Sequence, residues 1–305
     1  MCRILSYLGI PTLIEETLYK PDNSFIKQSY HPIYMSYLLN LAGFGLAAWD
    51  TLSNNPSHPF LYKTTKLPFY DENLLNLAKK INASCFLAHL RGVSYNTKQF
   101  LSQQNVHPFI FEGTNMVLAH NGFLIDFDKI KYDLVEFVNP DYRKYIHGTT
   151  DSEWIYAIFM SQIHSVKDHL QTNDLIKAIL ETLKILHRVR NKHNIEITSP
   201  VNLFITNGEF IAATRYVFDY GWQPLDTPPS THFDYHSLWY TYGESYGFYD
   251  NEYKMKNSKQ KSSIIIASEP LTEDTTSWIE LPEYTLIIAQ KEKDEIKLIT
   301  KDISI

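Results

Sequence analysis

The sequence predicts an α+β fold in which sheets and helices form separate layers. Apolar runs of strand length fill the first and last thirds of the chain, and two longer helical patterns lie between them. This order favours stacked layers over alternating βαβ units. An aromatic content of 14%, with 21 tyrosines and 17 phenylalanines, also favours well-packed β structure. The 305 residues suffice for one large core or two modest ones.

In the first half of the chain, strand patterns alternate with shorter helical ones. An apolar run over 3–9 predicts a buried strand that begins directly after Cys2. Apolar residues in helical register, with Asp71 as the N-cap, predict a helix from Asp71 to Ile81. The other predictions are strands at 44–49, 85–92 and 116–122, helical segments at 32–41 and 125–138, and a loop at 57–70.

The second half places two helices before a strand-rich end. Helices predicted over 152–164 and 174–189 are expected to pack on one face of a sheet. Thr150 or Asp151 suits the cap of the first helix. Asn207-Gly208 between two apolar runs predicts a β-hairpin. Strands are predicted at 201–206, 209–216, 237–242, 263–267, 285–290 and 296–300, and loops at 222–232 and 254–261.

Composition excludes several classes of function. The net charge of −6 gives no electrostatic case for nucleic acid or an anionic membrane as partner. No apolar run approaches the ~20 residues that cross a bilayer, and no export signal opens the chain, so we expect a cytoplasmic protein. Two cysteines without zinc-type spacing, and scattered histidines, predict no disulfide framework, metal ion or other cofactor.

Cys2 is the first candidate catalytic residue. If an aminopeptidase removes Met1, this residue carries both a thiol nucleophile and a free α-amine. An unperturbed α-amine has a pKa of about 8, which lets it accept the thiol proton near neutrality. A cysteine at the second position is by itself weak evidence, so the rest of the chain must supply the accessory groups.

Those accessory groups occur in order along the chain. Asn121-Gly122 at a strand end offers a side-chain amide and a backbone N–H, the donors that an oxyanion requires. Arg91 can bind an α-carboxylate bidentately, and Asp151 can bind an α-ammonium. Each also has a plain structural interpretation: a turn residue, a surface cation and a helix cap.

Two competing motifs are less convincing. Residues 243–247 match the Gly-x-Ser-x-Gly nucleophile elbow around Ser245, but that fold needs a histidine further along the chain and the last one is His236. Gly43, Gly45 and Ala48 match a dinucleotide fingerprint by letter, but Asn54, Asn55 and Pro56 follow where its helix should begin. We interpret both as glycine-bearing turns or strands.

Taken together, the motifs resemble the class II glutamine amidotransferase domain, an N-terminal-nucleophile hydrolase. The family pattern has an initial cysteine, a His-x-Arg segment followed by a small hydroxyl residue, and Asn-x-His-Pro, His-Asn-Gly and Thr-Asp-Ser/Thr-Glu segments. The matching residues here are Cys2, His89-Leu90-Arg91-Gly92-Val93-Ser94, Asn105-Val106-His107-Pro108, His120-Asn121-Gly122 and Thr150-Asp151-Ser152-Glu153. Gly92 departs from the pattern, because many members carry an aromatic residue there.

The resemblance implies a role for each matched residue. Cys2 would attack a γ-glutamyl amide to form a thioester, Asn121 and Gly122 would form the oxyanion hole, and Arg91 and Asp151 would hold the glutamyl head. Ser94 and His107 would lie next to the pocket that holds the glutamyl head. The substrate is expected to be a small γ-glutamyl molecule, and either the chain acts alone or a separate acceptor subunit receives the product.

The resemblance also implies a fold and a subfamily. We expect a four-layer αββα sandwich with two mostly antiparallel sheets, in a single domain over 2–290 with 291–305 as its C-terminal edge strand or tail. Later segments resemble stand-alone amidohydrolases that remove a γ-glutamyl group in ergothioneine synthesis and glutathione degradation. These are Phe204-Ile205-Thr206-Asn207-Gly208, Ala213-Thr214-Arg215-Tyr216 and Ala267-Ser268-Glu269-Pro270-Leu271. A hydrolase of non-glutamyl amides and a non-catalytic regulatory subunit remain the alternatives.

Overall fold

The structure, a computed structural model, describes residues 2–34, 39–93, 101–163, 170–221 and 237–305. A seven-stranded antiparallel sheet, here sheet A, contains the start of the chain. Its spatial order is β13 (Ile279–Glu280), β9 (Trp239–Gly243), β12 (Ser263–Ala267), β1 (Arg3–Leu13), β4 (Asn82–Leu90), β2 (Phe44–Asp50) and β3 (Phe60–Thr64). Strand β1 is therefore central, paired with β4 on one side and β12 on the other.

A second antiparallel sheet, sheet B, has six strands. They lie in the order β15 (Glu295–Asp302), β14 (Thr285–Glu292), β7 (Phe210–Arg215), β6 (Ser199–Thr206) and β5 (Val117–Gly122), and β8 (Val217–Phe218) pairs with β6. The predicted Asn207-Gly208 hairpin is confirmed, because it joins β6 to β7 with Thr206 opposite Ile211. A separate hairpin is formed by β10 (Tyr246–Tyr249) and β11 (Glu252–Met255).

Helices cover the outer face of each sheet. The helices are α1 (Glu15–Leu18), α2 (Glu72–Ala78), α3 (Phe127–Leu134), α4 (Pro140–Arg143), α5 (Asp151–Ser161) and α6 (Thr172–Lys192). Helices α1 and α2 pack on sheet A, whereas α3, α5 and α6 pack on sheet B. Among the described residues, none of the helices combines the length and apolar character that crossing a bilayer requires. The predicted αββα sandwich is confirmed, although the helical layer on sheet A is thin.

Alternation along the strands explains the layers. In β1, Ile4 and Leu8 enter the core between the sheets, whereas Leu5 and Tyr7 pack under the helices of sheet A. Each fully buried apolar side chain of this size contributes about 1.5–3 kcal/mol. Because side chains alternate with a period of two, Cys2 lies on the same face as Ile4 and points between the sheets. The nucleophile candidate is thus fixed at the start of the central strand.

Several local predictions are wrong. Residues 32–34 and 39–41 form no helix, and the rest of that predicted segment lies outside the described ranges. Strand β3 occupies the predicted loop over 57–70, where its half-exposed side chains hide the apolar signal of an edge strand. The β10–β11 hairpin occupies a region interpreted as turn and solvated loop, because its residues are mostly polar or aromatic.

Candidate active site

Cys2 is buried at the interface between the two sheets. Only 8% of the residue is exposed, and its backbone nitrogen donates to Oδ1 of Asn121 at 3.0 Å. Its Sγ lies 3.8 Å from the carbonyl oxygen of Gly92, directly after strand β4. The structure therefore brings Cys2 against both Asn121 of sheet B and the segment that follows β4 of sheet A.

Asn121 reaches Cys2 because β5 runs through Gly122, in agreement with the strand predicted over 116–122. Asn121-Gly122 is not a turn: the strand pairs with β6 through Gly122, which lies opposite Val201. Val117 and Ala119 face the core between the sheets, and the period of two places Asn121 on that face as well. Glycine is required at 122 by close packing, since a Cβ would overlap the carbonyl oxygen of Pro200 and lie 2.5 Å from Nε2 of His120.

Arg91 follows β4 and is only 3% exposed, so it is not the surface cation of the plain interpretation. Its backbone is anchored by a bond from its N–H to Gly43 at 2.8 Å and by one to its carbonyl from Ala42 at 2.9 Å. Burial lowers the pKa of Arg91, and the nearby Cys2 and Asp151 oppose that shift. The three residues therefore share one electrostatic environment.

Asp151 opens helix α5, but its side chain does not cap that helix. Thr150 occupies the N-cap position, without a side-chain cap bond. The Asp151 carboxylate instead accepts from the N–H of Leu124 at 2.6 Å and from the hydroxyl of Ser152 at 3.2 Å. Nδ1 of His120 lies 2.9 Å from the same hydroxyl. These contacts tie the start of α5 to the segment that follows strand β5.

Asn105 holds the loop that leads into α5. Its Oδ1 accepts from the N–H of Thr149 at 2.8 Å, and its Nδ2 donates to the Thr149 hydroxyl at 3.0 Å. Glu153 fixes the same loop from the other side, because its carboxylate accepts from the N–H of Gly148 at 2.6 Å. Burial raises the pKa of Glu153, and these backbone bonds oppose the shift. The Asn-x-His-Pro and Thr-Asp-Ser-Glu segments thus support each other in space.

His107 belongs to a buried aromatic cluster near the site. Its ring lies 4.1 Å from that of His89 and 4.6 Å from that of Phe109, measured between centroids. Burial holds the pKa of His107 well below its ordinary value, and neighbouring basic groups lower it further. Lys63 lies over the Phe109 ring at 5.1 Å, and burial lowers its pKa to about 8. His107 is therefore a neutral packing partner of the site.

The remaining sequence candidates have different outcomes. Ser94 lies outside the described residues. Ser245 follows β9, and its hydroxyl lies 2.8 Å from the hydroxyl of Tyr249, a contact that gives it no catalytic base. Within the described ranges, no group of three or more His, Cys, Asp or Glu side chains is placed to hold a metal ion.

A buried ion pair that was not predicted from the sequence lies beside Cys2. Nη2 of Arg3 lies 3.4 Å from Oε2 of Glu269, and the side chains are 1% and 0% exposed. Nη1 of Arg3 donates to the carbonyl of Cys2 at 3.2 Å. The sequence does contain a signal: Arg3 is a charge within an apolar strand pattern, and Glu269 comes two residues after a strongly apolar strand. Such charges are almost never buried unless paired.

Comparison with known proteins agrees with this geometry. The sequence profile of the class II glutamine amidotransferases matches residues 46–219, more than half of the chain. The chain belongs to the class II glutamine amidotransferases. The predicted family is thereby confirmed, and the protein is an enzyme that acts on amide C–N bonds. The matched range contains Arg91, His107, Asn121, Gly122 and Asp151, but it begins after Cys2.

Relatives of known description extend over nearly the whole amidotransferase chain. It is 27% identical to a Saccharomyces cerevisiae protein described as "Probable glutamine amidotransferase DUG3", over 96% of this chain and 82% of that protein. A class-II domain protein from Silicibacter pomeroyi superposes with a TM-score of 0.61 at 18% identity, covering 99% of this chain and 100% of that one.

A second solved structure shares the fold. Glutamine phosphoribosylpyrophosphate amidotransferase from B. subtilis superposes with a TM-score of 0.58 at 15% identity. It covers 99% of this chain, which spans 49% of that longer protein. These two structural likenesses show the N-terminal-nucleophile hydrolase fold.

Proposed function

We propose that this amidotransferase hydrolyses the amide bond of a γ-glutamyl compound, with Cys2 as nucleophile once Met1 is removed. The observation that carries the proposal is the bond of 3.0 Å between the Cys2 nitrogen and Oδ1 of Asn121. In this proposal the contact joins the residue that serves as base and nucleophile to the residue that stabilises the oxyanion. The description of the yeast relative as a glutamine amidotransferase supports the choice of a glutamine-type amide.

The first half of the reaction forms a thioester. The α-amine of Cys2 takes the thiol proton, and the sulfur attacks the γ-carbonyl carbon. The π electrons move onto the carbonyl oxygen, where Nδ2 of Asn121 and the N–H of Gly122 stabilise the oxyanion. When the tetrahedral intermediate collapses, its C–N bond breaks and the departing amine takes the proton from the Cys2 ammonium.

The second half releases glutamate. A water molecule gives its proton to the same α-amine and attacks the thioester carbon. The C–S bond then breaks, and the Cys2 sulfur is reprotonated by the ammonium. The nucleophile and its base are restored without any other group changing its protonation state.

Arg91 and Asp151 define the substrate class in this proposal. The buried guanidinium of Arg91 binds the α-carboxylate, and the carboxylate of Asp151 binds the α-ammonium. Leu124 and Ser152 hold Asp151 through two hydrogen bonds, so this anion is preoriented for the ligand. His107 packs against His89 and Phe109 beside this pocket.

The first test is intact mass before and after treatment with the glutamine analogue diazo-oxo-norleucine. The expected result is loss of Met1 and one adduct that maps to Cys2. Cys85 gives a matched control, because it is 0% exposed, its Sγ lies 3.3 Å from Oγ1 of Thr206, and burial raises its pKa to about 12. Cys85→Ala should label normally and Cys2→Ala should not. Retained Met1 with no adduct would contradict the proposal and favour the non-catalytic alternative.

The second test separates glutamyl from other amide substrates. Arg91→Ala should raise KM for glutamine at least about 100-fold, since a charge-assisted bidentate contact contributes about 3 kcal/mol or more. Arg91→Lys keeps the positive charge but lacks the two parallel N–H donors of the guanidinium, so its KM should lie between those of the parent and Arg91→Ala. Full activity in Arg91→Ala would favour a non-glutamyl amide hydrolase, and loss of activity in Ser245→Ala but not in Cys2→Ala would favour a serine hydrolase.

A further inference from the structure

The buried pair of Arg3 and Glu269 lies on the opposite face of sheet A from the Cys2 thiol. Arg3 shares the face of Leu5, and Glu269 comes two residues after Ala267 on that same face. Neither side chain can therefore touch a substrate that reaches Cys2 from between the sheets. The pair is nevertheless linked to Cys2 by a single hydrogen bond, which Arg3 Nη1 donates to the Cys2 carbonyl oxygen at 3.2 Å.

Glu269 is itself held in place by several donors. Its carboxylate accepts from the backbone N–H groups of Ile33 at 3.4 Å and Tyr34 at 3.2 Å. Nδ2 of Asn23 lies 3.5 Å from Oε1. A fully buried carboxylate with these bonds cannot move without leaving donors unpaired. It is a rigid anchor for the guanidinium of Arg3.

Cys2 needs a fixed hydrogen-bond donor because it comes before the first residue of β1 that pairs with a neighbouring strand. The registered pairs of β1 begin with Arg3 opposite Leu90 and, on the other side, with Leu5 opposite Ala267. The backbone of Cys2 is held instead by side chains, its nitrogen by Asn121 and its carbonyl by Arg3. Once Met1 is gone, no residue precedes Cys2, so these two bonds fix the orientation of the amine and the thiol.

We infer that Arg3 and Glu269 are positioning residues: Glu269 fixes the guanidinium of Arg3, which holds the Cys2 carbonyl and so aims the nucleophile. This inference rests on the proposed function and adds two residues to its machinery. Neither residue lies within the range matched by the family profile. A misplacement of about 1 Å in a reacting group can lower a rate about 100-fold.

The test begins with two single variants, Arg3→Met and Glu269→Gln. Each should lower kcat for glutamine hydrolysis about 10- to 100-fold and leave KM within about threefold of the parent, because Arg91 and Asp151 still hold the glutamyl head. The rate of Cys2 labelling by diazo-oxo-norleucine should fall in parallel with kcat. Intact mass must show that Met1 is removed from each variant, so that the comparison concerns position alone.

Single variants leave one buried charge unpaired and can unfold for that reason. The double variant Arg3→Met/Glu269→Leu removes both charges, and replacing a buried ion pair by apolar residues is often neutral or stabilising. We expect the double variant to be at least as stable as the parent yet still slow, because the Cys2 carbonyl has lost its donor. If the ion pair contributed only to stability, the stable double variant would have the kcat of the parent.

Asp71→Asn is the matched control for loss of a buried carboxylate. Asp71 is 5% exposed and caps the N-terminus of helix α2, where it accepts from the N–H of Leu74 and the hydroxyl of Tyr62. This variant should lose some stability and keep the parental kcat. Parental kcat in the folded double variant would overturn the inference and leave the proposed function intact. If the parent protein neither hydrolyses glutamine nor is labelled by diazo-oxo-norleucine, the proposed function is overturned, and the inference with it.

Discussion

Acidification should destabilise this protein through the histidines buried around its site. His89, His107 and His120 are 0%, 3% and 1% exposed. Burial lowers the pKa of all three, and for His89 and His107 the pKa falls well below its ordinary value, helped by nearby basic groups that include Lys63. At mildly acidic pH the folded protein therefore binds fewer protons than the unfolded chain.

The magnitude follows from proton linkage. An unfolded histidine has a pKa of about 6.5, so the unfolded state binds more protons than the folded state below that pH. The contribution of these histidines to the free energy of unfolding is therefore fully present above about pH 6.5. Below that pH it falls by about 1.4 kcal/mol per pH unit for each histidine that stays neutral in the folded state. His89 and His107 together should remove about 3 kcal/mol between about pH 7.5 and about pH 5.5, and His120 adds to that loss.

Urea unfolding at about pH 7.5 and about pH 5.5 measures this loss, provided that each transition is two-state. His107→Leu removes one titrating group, so the difference between the two pH values should shrink by about 1.4 kcal/mol. His58→Gln is the control, because His58 is exposed and its replacement should leave the difference unchanged. Equal pH differences in His107→Leu and the parent would refute the reasoning, whatever the absolute stabilities.

Three further substitutions have expected outcomes. Gly122→Ala should lower kcat about 100-fold and destabilise by about 1–3 kcal/mol, since the new methyl group overlaps the carbonyl of Pro200; parental kinetics and denaturation curves would contradict this. Asn105→Ala should cost about 2 kcal/mol in urea unfolding and raise KM through the loop at Thr149, and an unchanged KM would argue against that coupling. Asp71→Ala should cost about 1 kcal/mol at unchanged kcat, as expected for loss of an N-cap, and a loss of activity would show that α2 reaches the site.

The sequence could predict the layers of this fold because the buried strands are mostly apolar. β12 is buried along its whole length, and so are the first seven residues of β1. The edge strand β3 could not be found in this way, because none of its side chains is fully buried. Asp71 was predicted as an N-cap and is one, since that signal is local to a few residues.

The sequence could propose candidate site residues where the expected chemistry requires a fixed residue type. Arg91, Asn121 and Asp151 were proposed one by one on that ground, and the fold brings them around Cys2. The pair of Arg3 and Glu269 depends on two strands separated by most of the chain, so no local pattern connects its members. The plain interpretation of Asn121 as a turn residue fails for a similar reason, because pairing of β5 with β6 overrides the local turn preference of Asn-Gly.

The central place of β1 also sets an order of events during synthesis. The strands on either side of it, Asn82–Leu90 and Ser263–Ala267, emerge from the ribosome long after the N-terminus. Until β12 has been made, the first residues stay accessible to an aminopeptidase. Afterwards Cys2 is only 8% exposed, in a sealed position that such an enzyme does not reach. If Cys2 acts as proposed, Met1 must therefore be removed before β12 joins the sheet, and a chain that folds with Met1 in place would lack the α-amine base.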